Sequence, residues 1–170
     1  MTRPVLLEVP DQLETERLSI RCPRAGDGAI VHASVVESLA ALRAFPASMP
    51  WAMQEPSVDA SEQFCREGAA LYRLRTSLPM LLFLKGSQVH VGSSGLHRLD
   101  WVLPKCEIGY WGHSRFAGQG FITEAVKAIT EFAFQHLGMR RVEALPDDAK
   151  APSKNNFYNL GRKVRGCLLT

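Results

Sequence analysis

The segment from Arg115 to Thr123 has the residue types of an anion-binding turn. It reads RFAGQGFIT, so one arginine is followed by an alanine and two glycines directly before a helical pattern begins. A helix start leaves up to four main-chain N–H groups unpaired and carries partial positive charge. Gly118 and Gly120 would let a phosphate reach those groups, with Arg115 adding a cation and Thr123 a hydroxyl. We therefore predict a phosphate-binding turn; the alternative is a tight turn that needs glycine only for its backbone.

The spacing excludes two common nucleotide motifs. No Gly-Lys-Ser/Thr follows the glycines, as a Walker loop would require. The Gly-x-Gly-x-x-Gly fingerprint of dinucleotide-binding proteins is also absent, because position 123 is threonine. The nature of the anion therefore has to be inferred from the rest of the chain.

Hydrophobic periodicity around this turn predicts the elements that position it. Strands are expected at 17–22, 79–85, 89–97, 106–113, 140–145 and 163–169. Helices are expected from Asp27 to about Leu42, within 57–76, from Phe121 to a stop at Gly138, and at 151–161. This order predicts a single domain, residues 1–170, of the α/β or α+β class with a mixed sheet.

Two helix starts carry residues that suit a local cap. Asp27 stands where its side chain could cap the first helix. Asp59 and Glu62 have the spacing of a capping box at the start of the second. Both caps are predictions from sequence neighbours alone.

The composition is typical of a soluble globular protein. Of 170 residues, 46% are apolar and 22% charged, and no apolar run reaches the length of a membrane span. The N-terminus has acids and prolines where a signal peptide would be continuously apolar, so we expect a cytoplasmic protein with no membrane partner. The four cysteines are scattered, which favours reduced core residues and no metal site.

Basic charge is concentrated at the C-terminal end of the chain. Residues 150–170 contain five basic side chains and no acidic one. Such a patch could meet a nucleic acid, but nothing except charge supports that interpretation. A solvated face is favoured, and we do not expect a nucleic-acid partner.

Several segments, in order, resemble the GNAT N-acetyltransferases. RFAGQGF resembles their pyrophosphate signature, Arg/Gln-x-x-Gly-x-Gly/Ala. LETERLSIR, VGSSGLH, EIGYW and GFITEAVKAITEFAFQHLGMRRVEA are similar to strands and the central helix of the RimJ/RimL-like branch, which includes ribosomal-protein N-terminal acetyltransferases. The resemblance covers roughly residues 13–169 and implies a GNAT-like fold, with a mixed, mostly antiparallel sheet flanked by helices.

The resemblance also implies acetyl-CoA as co-substrate and a primary amine as acceptor, either a protein N-terminus or a small amine. The cofactor would lie where the strands 106–113 and 140–145 splay apart. Its pyrophosphate would meet the segment of the signature, namely Arg115, Phe116, Ala117, Gly118, Gln119, Gly120, Phe121 and Thr123. Ile108, Gly109 and Tyr110 would line the pantetheine and place an oxyanion-binding N–H near the thioester.

Direct transfer needs a group that takes the amine's proton and a group that protonates the thiolate. Glu107, beside the predicted site, is one candidate for the first role; an ordinary salt-bridged carboxylate is the alternative. His113 is a rival base, although a loop histidine is more often simply solvated. Ser153 matches the serine of the family's Asn-x-x-Ser and is the predicted donor of a proton to the thiolate, or else a helix cap. Phe157 occupies the place of the tyrosine that many members use.

The pattern departs from the family after residue 149. Lys150, Arg162 and Arg165 replace an asparagine, an aromatic and an acid of the family pattern. The chain also stops about where the family's sixth strand ends, so its C-terminal strand is expected to be missing. The edge of the strand 140–145 would then be vacant, paired directly with 163–169, or filled by a second chain. We expect a possible homodimer on this ground.

These departures leave a second function open. The chain could be an acyl-CoA-binding or interaction module with little or no turnover. Acceptor choice, if the chain is active, is expected to depend on the loop Phe45–Pro56, with Trp51, and on the turn around Trp101.

Overall fold

A seven-stranded mixed sheet organises the part of the chain that the computed structural model describes, residues 3–144 and 167–169. The strands are β1 (Gln12–Glu14), β2 (Leu18–Arg21), β3 (Leu78–Leu84), β4 (His90–Asp100), β5 (Lys105–Gly112), β6 (Arg141–Ala144) and β7 (Cys167–Leu169). Neighbouring strands in the sheet follow chain order. β1 to β5 pair antiparallel, while β5, β6 and β7 pair in parallel. The predicted fold class is confirmed.

Three helices cover the two faces of the sheet: α1 (Gly28–Arg43), α2 (Val58–Leu74) and α3 (Phe121–Gln135). One core cluster joins α3 to side chains such as Leu82, Leu96 and Ile108. A second cluster joins α1 and α2 to the opposite face through Leu81 and Phe83. Because helices cover both faces of β3, its first six residues are all buried, which explains its continuous apolar sequence.

The predicted cap of α1 by Asp27 is wrong. Asp27 does occupy the N-cap position, but its side chain makes no capping hydrogen bond. Its carboxylate instead accepts two hydrogen bonds from the Arg21 guanidinium, at 2.7 and 2.8 Å, and one from the Arg24 N–H. A charged, bidentate pairing is stronger than a local cap. The carboxylate therefore turns toward β2 and away from the helix start.

The predicted capping box of Asp59 and Glu62 is also wrong. Ser57 caps α2 by accepting the N–H of Ala60 at 3.0 Å. Glu62 reaches across to the start of α1, where it accepts the N–H groups of Gly26 and Gly28 at 2.9 to 3.1 Å. A residue of α2 thus satisfies the start of α1, which no local pattern in the sequence reveals.

The parallel pairing of β5 and β6 is short. It comprises Lys105↔Arg141, Cys106↔Val142 and Glu107↔Glu143, whereas β5 continues to Gly112. Glu107↔Glu143 is the last pair between these strands within the described residues, since β6 is described only to Ala144, and the predicted splaying of the two strands stays a prediction. β7 pairs directly with β6, which is one of the three arrangements expected for this edge. The homodimer stays a prediction.

Several predicted features lie outside the described residues. They are the helix 151–161 and the residues Lys150, Ser153, Phe157, Arg162 and Arg165. Three of the cysteines, Cys22, Cys65 and Cys106, are free and buried, as predicted. In the described part of the chain no helix has both the length and the apolar character needed to cross a bilayer.

The ion pair of Arg21 and Asp27 generates a stability prediction. Its side chains are only 11% and 10% exposed. At pH 7, Asp27→Asn is expected to lower the free energy of unfolding by about 2 kcal/mol, because Arg21 is left charged without its partner. Denaturant unfolding measures this loss.

The pH dependence provides a second readout of the same pair. Burial alone would raise the pKa of Asp27, but hydrogen bonds from Arg21 and Arg24 lower it overall. The carboxylate therefore stabilises the fold above its ordinary pKa, and this contribution is lost as pH falls through the lowered pKa. The gap between wild type and Asp27→Asn should shrink in acid. The exposed control Asp59→Asn should cost less than about 1 kcal/mol, and an equal loss in both variants would contradict the prediction.

Candidate active site

The turn between β5 and α3 has the backbone of an open cradle. A short 3-10 turn, Ser114–Phe116, leads into two glycines with positive φ, Gly118 at +76° and Gly120 at +79°. This left-handed region strongly favours glycine. Gly120 is the N-cap of α3, and no side chain caps the helix there. The helix start is therefore open to a ligand.

Main-chain donors of the cradle divide into two sets. The N–H groups of Phe116, Ala117 and Gln119 donate within the turn, at 2.9, 3.1 and 3.4 Å. Those of Gly118, Gly120 and Phe121 have no hydrogen-bond acceptor within the described part of the chain. Both glycines are also exposed. Of the main-chain donors predicted to bind phosphate, these three amides are therefore the ones that remain available.

Arg17 of the Thr15–Leu18 turn holds the cradle in place. Its Nε donates to Glu124 at 2.6 Å, its Nη1 donates to the Gln119 carbonyl at 3.0 Å, and its guanidinium lies 4.4 Å from the centre of the Phe121 ring. Its Nη2 stands 3.4 Å from where a Cβ would lie at Gly120. The sequence pattern did not indicate this second cation, because it predicted Arg17 only as a strand residue. The predicted cation, Arg115, is exposed in the 3-10 turn.

His113 anchors the start of the same turn. Its Nε2 lies 2.9 Å from a carboxylate oxygen of Glu37 on α1, and its Nδ1 lies 3.1 Å from the His90 carbonyl. The ring is 7% exposed and packs edge-on against Phe116. The expectation of a solvated loop histidine is therefore wrong, because a residue 76 positions away in sequence supplies its partner.

A cavity of about 560 Å³ lies on the face of the sheet covered by α1 and α2. Its walls come from both helices, from residues 48–57, and from β4 and β5, and they include Gly109 and Tyr110. Most of the lining is apolar, from Val31, Val35, Leu39, Met49, Trp51, Phe64 and Trp111. Among the described lining residues, only Glu55, His97 and Tyr110 have ionisable side chains.

The two segments predicted to bear on acceptor choice are placed differently. Trp51 lines the cavity and also packs on Trp111, with ring centres 5.9 Å apart. Trp101 is not among the cavity-lining residues; it lies in the β4–β5 turn, where its Nε1 donates to the Arg75 carbonyl at 3.2 Å. Of the two, only the loop Phe45–Pro56 contributes to this cavity.

The sequence profile described as an acetyltransferase (GNAT) domain matches residues 17–162, which is most of the chain. The chain belongs to the GNAT acetyltransferase family. Two acetyltransferases of known structure share the fold of this GNAT chain. MccE, the microcin C7 self-immunity acetyltransferase in complex with acetyl-CoA and AMP, has a TM-score of 0.79 at 16% identity, covering 90% of this chain and 83% of MccE. RimL, a ribosomal L7/L12 alpha-N-protein acetyltransferase in complex with coenzyme A, has a TM-score of 0.78 at 17% identity, covering 89% of this chain and 81% of RimL.

Two curated proteins are similar to parts of the GNAT chain. YdaF of Bacillus subtilis (strain 168), named as a candidate ribosomal N-acetyltransferase, is 45% identical over 51 residues, 30% of this chain and 28% of YdaF. The uncharacterized N-acetyltransferase p20 of Bacillus licheniformis is 28% identical over 87 residues, 51% of this chain and 49% of p20. The matches span half or less of each relative, and the match to YdaF supports the resemblance to this branch of the GNAT family.

Glu107 of this GNAT domain lies beside the cavity but does not line it. It is in register with His97 on β4 and accepts a hydrogen bond from Arg98 at 3.1 Å. The geometry favours the salt-bridged alternative for this carboxylate. Ile108 is buried on the α3 side, while Gly109 and Tyr110 reach the cavity, all beyond the last pair with β6. Thr123 lies in the first turn of α3.

The contact between Arg17 and Glu124 predicts a measurable effect on the cradle. Burial opposes ionisation of Glu124, but hydrogen bonds from Thr15 and Arg17 lower its pKa overall. Glu124→Gln should therefore loosen the turn and speed exchange of its hydrogen-bonded amides, at Ala117 and Gln119, by about fivefold near pH 7, equivalent to ~1 kcal/mol. Hydrogen-exchange mass spectrometry can resolve this segment.

The matched control for this variant is Glu131→Gln, an exposed change on the same helix. It should leave exchange in the turn unchanged. The effect of Glu124→Gln should also fade as pH falls through the lowered pKa of Glu124, because the wild-type carboxylate then loses its charge. Equal exchange in both variants at pH 7 would show that the ion pair does not hold the cradle.

Proposed function

We propose that this protein transfers the acetyl group of acetyl-CoA to a primary amine, either a protein N-terminus or a small amine. One observation carries the proposal: in a chain of the GNAT family, α3 begins at a glycine-rich turn whose exposed N–H groups at Gly118 and Gly120 have no acceptor within the described residues. An anion-binding helix start of this kind suits a phosphate-bearing thioester. RimL and MccE, which share the fold, act as acetyltransferases.

The cradle fits the diphosphate of coenzyme A. Gly118, Gly120 and Phe121 offer N–H groups without an acceptor in the described chain, and the two glycines leave the approach free of side chains. Arg115 and Arg17 add positive charge at the rim. Bound acetyl-CoA would supply an activated thioester carbonyl for attack by the amine.

The second half of β5 is proposed to orient the pantetheine and the reacting carbonyl. Ile108, Gly109 and Tyr110 follow Glu107, the last residue of β5 that pairs with the described part of β6. Their main-chain groups would bind the pantetheine amides, and one N–H would stabilise charge on the carbonyl oxygen. Ser153, outside the described residues, remains the proposed donor of a proton to the thiolate.

The apolar lining of the cavity suits an amine acceptor that inserts an apolar group next to its amino group. The walls contain two tryptophans, Trp51 and Trp111, and only one carboxylate, Glu55, among the described residues. That carboxylate is highly exposed and lies 3.7 Å from Arg43, so it offers little attraction to a polycation. Acceptors of moderate size with aromatic or aliphatic bodies fit this lining best.

Calorimetric titration with acetyl-CoA and CoA, followed by an amine panel, tests the function. Thiol release should be followed with arylalkylamines, polyamines and short peptides with free N-termini; the same peptides with acetylated N-termini serve as blanks. One-to-one binding with amine-dependent thiol release supports the proposal. Binding without turnover on any amine would favour the acyl-CoA-binding module, and no binding by folded protein would remove both functions.

The cradle makes a specific prediction about Gly120. Gly120→Asp should weaken acetyl-CoA binding roughly thirtyfold, about 2 kcal/mol, because a carboxylate would stand against the phosphates. Gly138→Asp is a matched control, since Gly138 also has positive φ, +66°, but lies after the other end of α3. Calorimetry should show near wild-type affinity for the control. Equal affinity in both variants would mean that the phosphates bind elsewhere.

A further inference from the structure

A partly buried imidazole forms part of the cavity wall. His97 lies in the second half of β4, and its ring covers the glycine pair Gly95 and Gly109. Its Nε2 is 3.2 Å from the position that a Cβ would take at Gly95 and 3.6 Å from that at Gly109. The two glycines therefore make room for the ring. Because His97 and Gly109 both line the cavity, the ring stands where β5 contributes to the cavity wall.

Contacts with Ser77 bear on which ring nitrogen of His97 carries the lone pair. His97 Nδ1 lies 2.7 Å from Ser77 Oγ, and the same hydroxyl lies 3.4 Å from the Leu96 carbonyl oxygen. A serine hydroxyl has one proton, so it accepts from Nδ1–H when it donates to Leu96. In that tautomer Nε2, on the side of Gly109, is the basic nitrogen, and this is the tautomer that the proposal requires.

The surroundings of His97 favour its neutral form near pH 7. Burial lowers the pKa of the imidazole, and Glu107, in register on β5, opposes this only in part. Arg98 is ion-paired with Glu107 and compensates its charge. Glu55 is the other charged group of the described lining and lies near Arg43, while α1 and α2 contribute uncharged residues.

We propose that His97 takes the proton from the acceptor amine, with Ser77 as the residue that positions it. This inference rests on the proposed function. As the acetyl group moves, a C–N bond forms and the C–S bond breaks, with its electron pair left on sulfur. The nitrogen loses one proton, which His97 Nε2 accepts. The thiolate takes its proton from the proposed donor Ser153, and the proton held by His97 returns through solvent to Ser153, so no further reactant is consumed.

Glu107 is less suited to the same task. Its carboxylate is held by Arg98 and does not line the cavity. A carboxylate stabilised by a charged donor is a weaker base than a neutral imidazole at pH 7. In this proposal Glu107 therefore acts through the electrostatic effect of its charge on the pKa of His97, and not by contact with the amine.

Steady-state kinetics with an amine identified in the panel tests the role of His97. His97→Ala should lower kcat at least about a hundredfold at pH 7.5. The KM for acetyl-CoA should change less than threefold, and imidazole in the buffer should restore part of the rate. His136→Ala is a matched control at an exposed histidine just after α3, and its kcat should stay within twofold of wild type.

Ser77 variants separate positioning from folding. Ser77→Ala should lower kcat about tenfold, and Ser77→Thr, which keeps the hydroxyl, should recover most of the loss. Wild-type kcat at saturating amine should fall tenfold per pH unit below the pKa of His97, which lies under its ordinary value near 6.5. Two acceptors whose amines differ in basicity should show this fall over the same pH range, and Ser77→Ala should shift that range.

Two results would overturn the inference while leaving acetyl transfer intact. One is a His97→Ala enzyme as fast as wild type; the other is a Glu107→Gln enzyme that alone loses activity. A readout without turnover is the nitrogen-15 NMR spectrum of the histidines. It should show His97 neutral at pH 7 with the proton on Nδ1; a protonated Nε2 at this pH would also overturn the inference. A wild-type protein that binds acetyl-CoA but acetylates no amine overturns the proposed function and this role together.

Discussion

The candidate site depends on the junction between β5 and α3. β5 contributes Gly109 and Tyr110 to the cavity wall and ends at Gly112, and the turn that follows brings the exposed Gly118 and Gly120 to the start of α3. Main-chain N–H groups without a protein acceptor are costly unless solvent or a ligand satisfies them. One continuous segment therefore joins the cavity to an anion-binding helix start.

Long-range contacts hold the cradle in its open shape. Positive φ at Gly118 and Gly120 defines the turn, but it does not fix where the turn lies. Arg17 fixes one side through Glu124 and the Gln119 carbonyl, and His113 fixes the other through Glu37 and the His90 carbonyl. Because the carboxylates of Glu124 and Glu37 are paired with Arg17 and His113, they do not occupy the N–H groups of the turn. The cradle is thus supported at its edges and free of side chains at its centre.

Two histidines, His90 and His97, are buried or partly buried on the side of the sheet that α1 and α2 cover. His90 is almost fully buried, and desolvation lowers its pKa to about 4. Its ring nitrogens lie 2.9 and 3.3 Å from the hydroxyls of Ser34 and Ser93. His97 is partly buried and faces Ser77 in the same manner. Neutral imidazoles next to serine hydroxyls suit an apolar cavity, because burying a charged side chain there would carry a large desolvation free energy. The two differ in exposure to the cavity, and of the two only His97 is among its lining residues.

The sequence alone determined the class of fold, the order of most elements and the glycine-rich start of α3, because these follow from local periodicity and backbone preference. The predictions for Asp27, Glu62 and His113 failed, and Arg17 and His97 were missed, for one physical reason. Each of these side chains bonds to or faces a residue from another element, and a charged or buried partner outweighs the local pattern. Tertiary structure alone decided which helix Glu62 stabilises, which side chains hold the cradle, and which base faces the cavity, since those choices depend on distances that sequence spacing does not contain.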